Sequence, residues 1–286
     1  MRFLSLQSHV AYGYVGNRAA TFPLQRLGHE VWAVNTVEFS NHTGYGAWRG
    51  RTAPADQVAD IVAGIEALGM LSRCDALLTG YVGDAALGDV VLDTAAKVRA
   101  ANAKAVWCCD PVLGDVDTGI YVKPGIDAFF RERAIPAADL VTPNHFELEL
   151  LVGRKVATLD EALAAARSLL GRDARGPRLV LLTSLRRSDA PDGIEMLAVA
   201  RDAAWRIATP LIHFDVAPNG TGDAVAALFA AHWLETGDAA RALGQSASAI
   251  FAVLEETARL GERELQLVAA QARIVDPPRR FTAEKL

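Results

Sequence analysis

Asn219-Gly220-Thr221-Gly222-Asp223 runs directly into Ala224-Val225-Ala226-Ala227-Leu228-Phe229-Ala230-Ala231. Two glycines flank a threonine, an aspartate follows, and a helix begins that is apolar on nearly every side. A helix of that kind is buried. A glycine before it lets the backbone enter conformations closed to other residues. The turn then points free N–H groups at one spot, and the helix dipole adds positive potential there. The result is an anion site suited to phosphate. A carboxylate at its edge, Asp223, is placed to take a proton from a hydroxyl that attacks phosphorus. Asn, Thr and Asp before a helix are equally ordinary capping residues, so the stretch alone leaves both readings open.

The chain upstream alternates strands and helices. Phe3–Leu6 reads as a buried strand broken by Gln7-Ser8-His9, Arg18–Leu27 as a helix, and Val31–Val34 as a second strand. Asn35–Arg51 is a long polar excursion with Gly44 and Gly46, and long structured loops tend to be functional. Asp56–Leu68, Ala85–Ala101, Gly125–Arg133 and Leu159–Leu170 read as helices between strands at Ala76–Thr79, Ala105–Cys109, Leu140–Thr142 and Arg178–Leu182. Gly193–Ala200 and Ala204–Leu211 suit a hairpin. Ala224–Leu234, Ala239–Glu256 and Glu264–Gln271 read as helices, and Pro277–Leu286 as an irregular tail. Alternating strands and helices argue for an α/β fold with a mostly parallel sheet covered by helices on both faces, a three-layer arrangement. No repeat or linker divides the chain, so residues 1–286 are expected to form one domain.

The composition excludes several classes of function. The chain has 286 residues, 51% of them hydrophobic, which is enough for a large core. The net charge of −5 and the absence of a basic run argue against nucleic acid or an anionic membrane as partner. The three cysteines, Cys74, Cys108 and Cys109, have neither disulfide-framework nor metal-ligand spacing, and they suit a reducing cytoplasm. The first residues are too short an apolar run for a signal peptide, and no stretch approaches the ~18 apolar residues that span a bilayer.

The chain has no Gly-x4-Gly-Lys-Ser/Thr, no Gly-x-Gly-x-x-Gly after its first strand and no Gly-x-Ser-x-Gly. P-loop, dinucleotide and hydrolase-elbow chemistry are therefore unsupported. What remains is a set of polar residues at strand ends: Ser8, Asp110, Glu147, Thr183 and Asp223. Open α/β sheets place site residues there. Asp110 and Glu147 suit Mg²⁺, which takes a few carboxylates together with phosphate oxygens. Asp110 before Pro111 also suits a turn, and Asn144 with Glu147 has the spacing of a capping box. Combined with the glycine turn, the set points to phosphoryl transfer. Cys108 and Cys109, in a buried strand, read as inert core.

Gly220-Thr221-Gly222-Asp223 resembles the signature of the ribokinase-like family of small-molecule kinases, and Asn144-x-x-Glu147 resembles its magnesium-site motif. Within that family the chain is similar to the bacterial pyridoxal kinases. The likeness lies in Gln7-Ser8-His9-Val10, Gly13-Tyr14-Val15-Gly16-Asn17, Asn35-Thr36-Val37, Phe39-Ser40-Asn41-His42-Thr43, Gly80-Tyr81 and Cys109-Asp110-Pro111-Val112, and it covers essentially the whole chain.

The resemblance implies a ribokinase-like fold and ATP-dependent phosphorylation of the 5′-hydroxyl of pyridoxal. It assigns the backbone of Gly220, Thr221 and Gly222 to charge stabilisation and Asp223 to the base. Ser8 and Thr43, with Gly44 beside them, face the pyridoxal ring. Asp110, Thr142, Glu147, Thr183 and the run Thr209-Pro210-Leu211-Ile212 face ATP, with Asp110 and Glu147 toward Mg²⁺. A lid runs from Asp115 past Tyr121 to Val122. Gly44 stands where many relatives have glutamine, and Thr183 where some have lysine. The resemblance further implies a cytoplasmic homodimer and leaves a monovalent-cation requirement open. A kinase for hydroxymethylpyrimidine or for a sugar, and a carrier of pyridoxal phosphate, are the alternatives.

Overall fold

The computed structural model describes residues 1–171 and 176–286. Its strands are β1 (Arg2–Val10), β2 (Glu30–Phe39), β3 (Gly50–Thr52), β4 (Ala76–Thr79), β5 (Val106–Cys109), β6 (Gly114–Asp115), β7 (Gly119–Ile120), β8 (Leu140–Val141), β9 (Leu179–Arg187), β10 (Ala190–Val199), β11 (Ala204–Pro210) and β12 (Glu284–Lys285). The helices are α1 (Asn17–Arg26), α2 (Ala55–Ala67), α3 (Ala86–Ala101), α4 (Ile126–Phe129), α5 (Ile135–Ala137), α6 (His145–Val152), α7 (Leu159–Leu169), α8 (Thr221–Thr236), α9 (Ala239–Leu260) and α10 (Gln271–Val275).

Ten strands form one sheet in the order β12-β11-β10-β9-β8-β5-β4-β1-β2-β3, and β6 with β7 forms a small separate ribbon. From β2 to β9 every neighbouring pair is parallel, and both flanks are antiparallel. The expected mostly parallel α/β sheet is therefore present. The parallel strands are apolar on both sides, as burial between two helix layers requires. Alternate residues feed opposite layers: Phe3, Ala76, Leu78 and Cys108 pack with α1, α8 and α9, while Leu4, Leu6, Leu77 and Trp107 pack with α2, α3, α6 and α7. The chain leaves β1 to β2 on one side, and β4 lies on the other. The carboxyl ends of β1 and β4 thus flank a crevice of the kind where open sheets bind ligands.

Several boundaries differ from the sequence reading. Gln7-Ser8-His9 does not break β1. Gln7 Nε2 donates to Ser5 Oγ at 3.0 Å, so its polar end is satisfied inside the sheet, and a bulge between Gln7 and Ser8 absorbs the misfit with β2. Strand β2 runs on through Phe39, which shortens the excursion to the turn around Thr43–Tyr45. The helix expected over Gly125–Arg133 is present and runs on to Ala137, but it widens by a π turn at Phe130–Ala134, just before Pro136, whose missing N–H cannot support the regular helical bond. Glu264–Ala270 is not helical and α10 starts only at Gln271; Glu264 is drawn away to bind two distant loops. Within the tail expected to be irregular, Glu284–Lys285 pairs with β11.

Asn17, at the start of α1, ties β1 to β2. It accepts from Ser5 Oγ at 2.7 Å and donates to Asn35 Oδ1 at 2.7 Å and to the Val34 carbonyl at 3.1 Å. Asn17, Ser5 and Val34 are all buried, so the bonds among them cannot be replaced by water. Asn17→Ala is expected to lower stability by about 2–4 kcal/mol, because buried donors and acceptors are left unmade. Urea denaturation with an unchanged slope would report it, and a loss under about 0.5 kcal/mol would contradict it.

Candidate active site

The glycine turn opens α8. Gly220 has φ +83°, and a Cβ on it would collide with the Tyr14 carbonyl oxygen. Glycine is thus required both by the backbone angle and by the close approach of the Tyr14 loop. No side chain caps the helix. The Thr221 hydroxyl instead donates to the Pro218 carbonyl at 3.3 Å. With no side chain accepting from them, the first-turn N–H groups remain available to a ligand. The sequence left capping and anion binding equally open here; the uncapped terminus favours the second.

Asp223 sits half-buried in that first turn. Burial pushes its carboxyl up to about 6, against the stabilising pull of the Gly16 backbone N–H. Asp110 follows β5, where the strand ends and its side chain drops between layers at 5% exposure. Burial, and then the charge of Asp223, push it up to about 8, although Thr142 Oγ1 donates to its Oδ1 at 2.9 Å.

Glu147 is 3% exposed at the start of α6. A complete capping box is present: Asn144 accepts from the Glu147 N–H at 2.8 Å and Glu147 accepts from the Asn144 N–H at 2.9 Å. The same carboxylate also accepts from the Leu113 N–H at 2.9 Å, so its capping role and its place in the cluster coexist. Burial, and then Asp110, raise its pKa well above the ordinary range.

The lid sequence forms the β6–β7 ribbon, tied down by Asn144 Nδ2 donating to the Gly114 carbonyl at 2.9 Å. Tyr121, just past it, is 42% exposed overall, yet its phenol pKa is raised by loss of water around the hydroxyl and then by the charges of Glu147, Asp223, Asp110 and Asp115. The segment expected as a lid thus ends near the carboxylate cluster.

Ser8 and Thr43 lie on the other side of the glycine turn. Ser8 is 7% exposed, and a Cβ on Gly16 would collide with its Oγ. Thr43 begins a short 3-10 turn whose middle residue, Gly44, would place a Cβ 4.0 Å from Asn219 Nδ2. Ser8, Thr43 and Gly44 thus border Asn219–Asp223. Thr183 is buried beside Asn144, its N–H donating to the Pro143 carbonyl at 2.9 Å. Thr209 and Pro210 close β11 opposite Ile194 and Gly193, and half-buried Leu211 and Ile212 begin the loop toward the turn. They do not join the cluster: β11 is four strands from β5, about 19 Å at ordinary strand spacing. Cys108 and Cys109 are wholly buried with raised pKa, as inert core thiols are.

Among the described residues, Asp110, Glu147 and Asp223 make no ion pair with lysine or arginine. Nor does any group of three or more His, Cys, Asp or Glu lie close enough to hold a metal alone. The deficit of positive charge fits a divalent cation carried in with phosphate oxygens, which needs only one or two protein carboxylates. Sequence reasoning missed two residues. Asn17 passed as the last residue of a glycine loop, and Glu264 passed as part of a helix, since neither has a local signal for partners so far along the chain.

Residues 47–267 match the family model described as phosphomethylpyrimidine kinase. Over 288 residues the chain is 56% identical to pyridoxal kinase PdxY of Rubrobacter xylanophilus, covering 100% of this chain and 98% of that protein. It is 54% identical to pyridoxal kinase PdxY of Deinococcus radiodurans, covering 99% and 96%. The solved pyridoxal kinase of Leishmania donovani in complex with ADP and pyridoxamine superposes with a TM-score of 0.91 at 32% identity, covering 100% of this chain and 99% of that one.

Asp110 has an ordinary pKa of 3.8 when unfolded and about 8 in the fold. Folding thus favours its protonated form. That contribution is full below about pH 4 and is lost as pH rises through about 8. Asp110→Asn cannot share the loss. Without nucleotide or Mg²⁺, the melting temperature of the variant minus that of the wild type is expected to widen by more than about 3 °C between pH 5 and pH 8. A gap that is constant with pH would show that Asp110 is not held protonated.

Proposed function

The chain belongs to the pyridoxal kinase family, and on that premise we propose that it transfers the γ-phosphoryl group of ATP to the 5′-hydroxyl of pyridoxal. The observation that carries the reading is the uncapped, glycine-led start of α8 with Asp223 in its first turn. The N–H groups of Thr221 and Gly222, with the Gly220 turn before them, stabilise negative charge on the transferring phosphoryl group. Fixed donors aimed at developing charge are the chief source of rate enhancement in such reactions. Asp223, with its carboxyl near 6, is mostly ionised at neutral pH yet basic enough to take the proton of the hydroxymethyl group.

Ser8 and Thr43 hold the ring on the side of the turn away from Asp110. Asp110, Thr142, Glu147 and Thr183 line the nucleotide side, and Thr209–Ile212 receive the far end of an extended nucleotide. Mg²⁺ bound with ATP would neutralise phosphate charge and the buried carboxylates together, and Asp110 and Glu147 are the residues placed to hold it. The lid from Asp115 to Val122 excludes water, so that ATP reacts with the alcohol rather than being hydrolysed. At Gly44 a Cβ would come within 2.9 Å of the His42 ring, so the missing side chain lets the turn close on His42.

The 286 residues are read as one kinase domain working as a homodimer in the cytoplasm. Three unpaired cysteines support a reducing compartment, and family membership supports the dimer, which light scattering would measure. Among the described residues no helix is long and apolar enough to cross a membrane.

A coupled assay with Mg²⁺, ATP and pyridoxal tests the reading; absence of phosphate transfer would end it. In that assay Asp223→Asn is expected to keep ATP affinity and lose about 10²–10⁴ in turnover. Because the base must be ionised, wild-type turnover is expected to climb as pH rises through about 6 and then level. Near-wild-type turnover in the variant would remove Asp223 as base.

A further inference from the structure

Three segments far apart in sequence meet at one buried carboxylate. Glu264 lies in the turn-rich segment after α9 and is 5% exposed. Its Oε2 accepts from the Tyr14 backbone N–H at 3.0 Å, and its Oε1 accepts from the Tyr45 hydroxyl at 2.7 Å. The approach depends on residue 13 being glycine: at its φ of +91°, a Cβ would collide with Oε2. Arg263 adds a second grip. Its Nη2 donates to the Gly44 carbonyl at 2.9 Å, and its guanidinium stacks 3.7 Å from the centre of the Tyr45 ring. The segment is itself anchored, with Leu265 and Leu267 fully buried and the Gln266 N–H donating to Thr257 Oγ1 at 3.0 Å.

These contacts lead into the site on two sides. Tyr14, whose N–H Glu264 holds, presses its carbonyl, on the next peptide, against Gly220, and two residues on, the Gly16 N–H faces Asp223. Tyr45 ends the turn that starts at Thr43. Burial and the bond to Glu264 raise the Tyr45 pKa, so the phenol stays a donor at all physiological pH. His42, whose pKa is lowered by burial, accepts from the Gly44 N–H and closes the turn from the other end.

We propose that Glu264, assisted by Arg263, is a positioning residue. It sets the Thr43–Tyr45 turn against the Tyr14–Gly16 loop and thereby governs affinity for the vitamin rather than for ATP. The proposal rests on the reading of Ser8 and Thr43 as substrate contacts. Glu264 itself reaches the substrate only through the two loops it joins.

Steady-state kinetics with pyridoxal and ATP varied separately test it in the wild type, Glu264→Ala, Glu264→Gln, Tyr45→Phe and the Tyr45→Phe/Glu264→Ala double variant. Glu264→Ala is expected to raise KM for pyridoxal about tenfold, the scale of a lost charge-assisted hydrogen bond, with KM for ATP within about twofold. Tyr45→Phe alone is expected to raise KM for pyridoxal about threefold. Glu264→Gln keeps an acceptor for one of the two donors and is expected to fall between. The double variant is expected to match Glu264→Ala, because Tyr45 acts through the carboxylate.

An unchanged KM for pyridoxal in Glu264→Ala, equal rises for both substrates, or effects that multiply in the double variant would each overturn the proposal. If Glu264→Ala does not fold, Tyr45→Phe decides: it removes one oxygen atom, and an unchanged KM for pyridoxal overturns the proposal. A wild-type protein that does not phosphorylate pyridoxal would instead sink the functional reading before any variant is compared.

Discussion

Asp110, Glu147 and Asp223 are carboxyl groups drawn out of water into one neighbourhood, and among the described residues none is offset by a lysine or arginine. Burial alone raises the free energy of each charged form, and mutual repulsion adds to it. A fold keeps such a group of acids only if something else holds them in place. Here the backbone does so. Glu147 is locked by the N–H groups of Asn144 and Leu113, Asp110 by the Thr142 hydroxyl, and Asp223 by its place in a buried helix beside the Gly16 N–H. The acids are thus prearranged for positive charge that arrives with the substrates. The stability they cost the free protein is the reason its acid–base behaviour should depend on ligand.

The sheet supplies the geometry for this arrangement. Parallel strands bring β1, β4, β5 and β8 to one rim, which carries Ser8, Asp110, Thr142 and Glu147, while Thr43 follows β2 and Asp223 comes from the first turn of α8. Helix α8 is apolar enough to be sunk against the sheet, which fixes its first turn relative to β1. The Tyr14–Gly16 loop passes so close that only glycine fits at 220. Phosphate side and ring side therefore share one rigid joint, and the C-terminal segment around Glu264 clamps it from outside.

Much of this was legible in the residues themselves. Apolar runs at Ala76–Thr79 and Val106–Cys109, separated by amphipathic stretches, marked the parallel sheet to within a residue or two. The glycine turn and the strand-end acids marked the phosphate side, because backbone N–H groups and carboxylates have local signatures. The rest depended on contacts that no local pattern carries. Gln7 and Ser8 look like a break in a strand until Ser5 and Asn17 are placed beside them. Glu264 looks like the first turn of a helix until Tyr14 and Tyr45, some 250 and 219 positions away in the chain, supply its donors. Long-range polar pairing is set by tertiary packing, and one sequence gives it no period to read.

Everything proposed for catalysis turns on a single joint, Asn219–Asp223, holding phosphate on one side and the acceptor hydroxyl on the other. Crystals grown with pyridoxal and a non-hydrolysable ATP analogue put that joint to the test. The 5′-hydroxyl oxygen is expected within hydrogen-bond distance of the Asp223 carboxylate, the pyridine ring between Ser8 and Thr43, and the γ-phosphate on the N–H groups that open α8. A ring bound elsewhere, or a γ-phosphate away from that helix start with Asp223 turned from the hydroxyl, would contradict it.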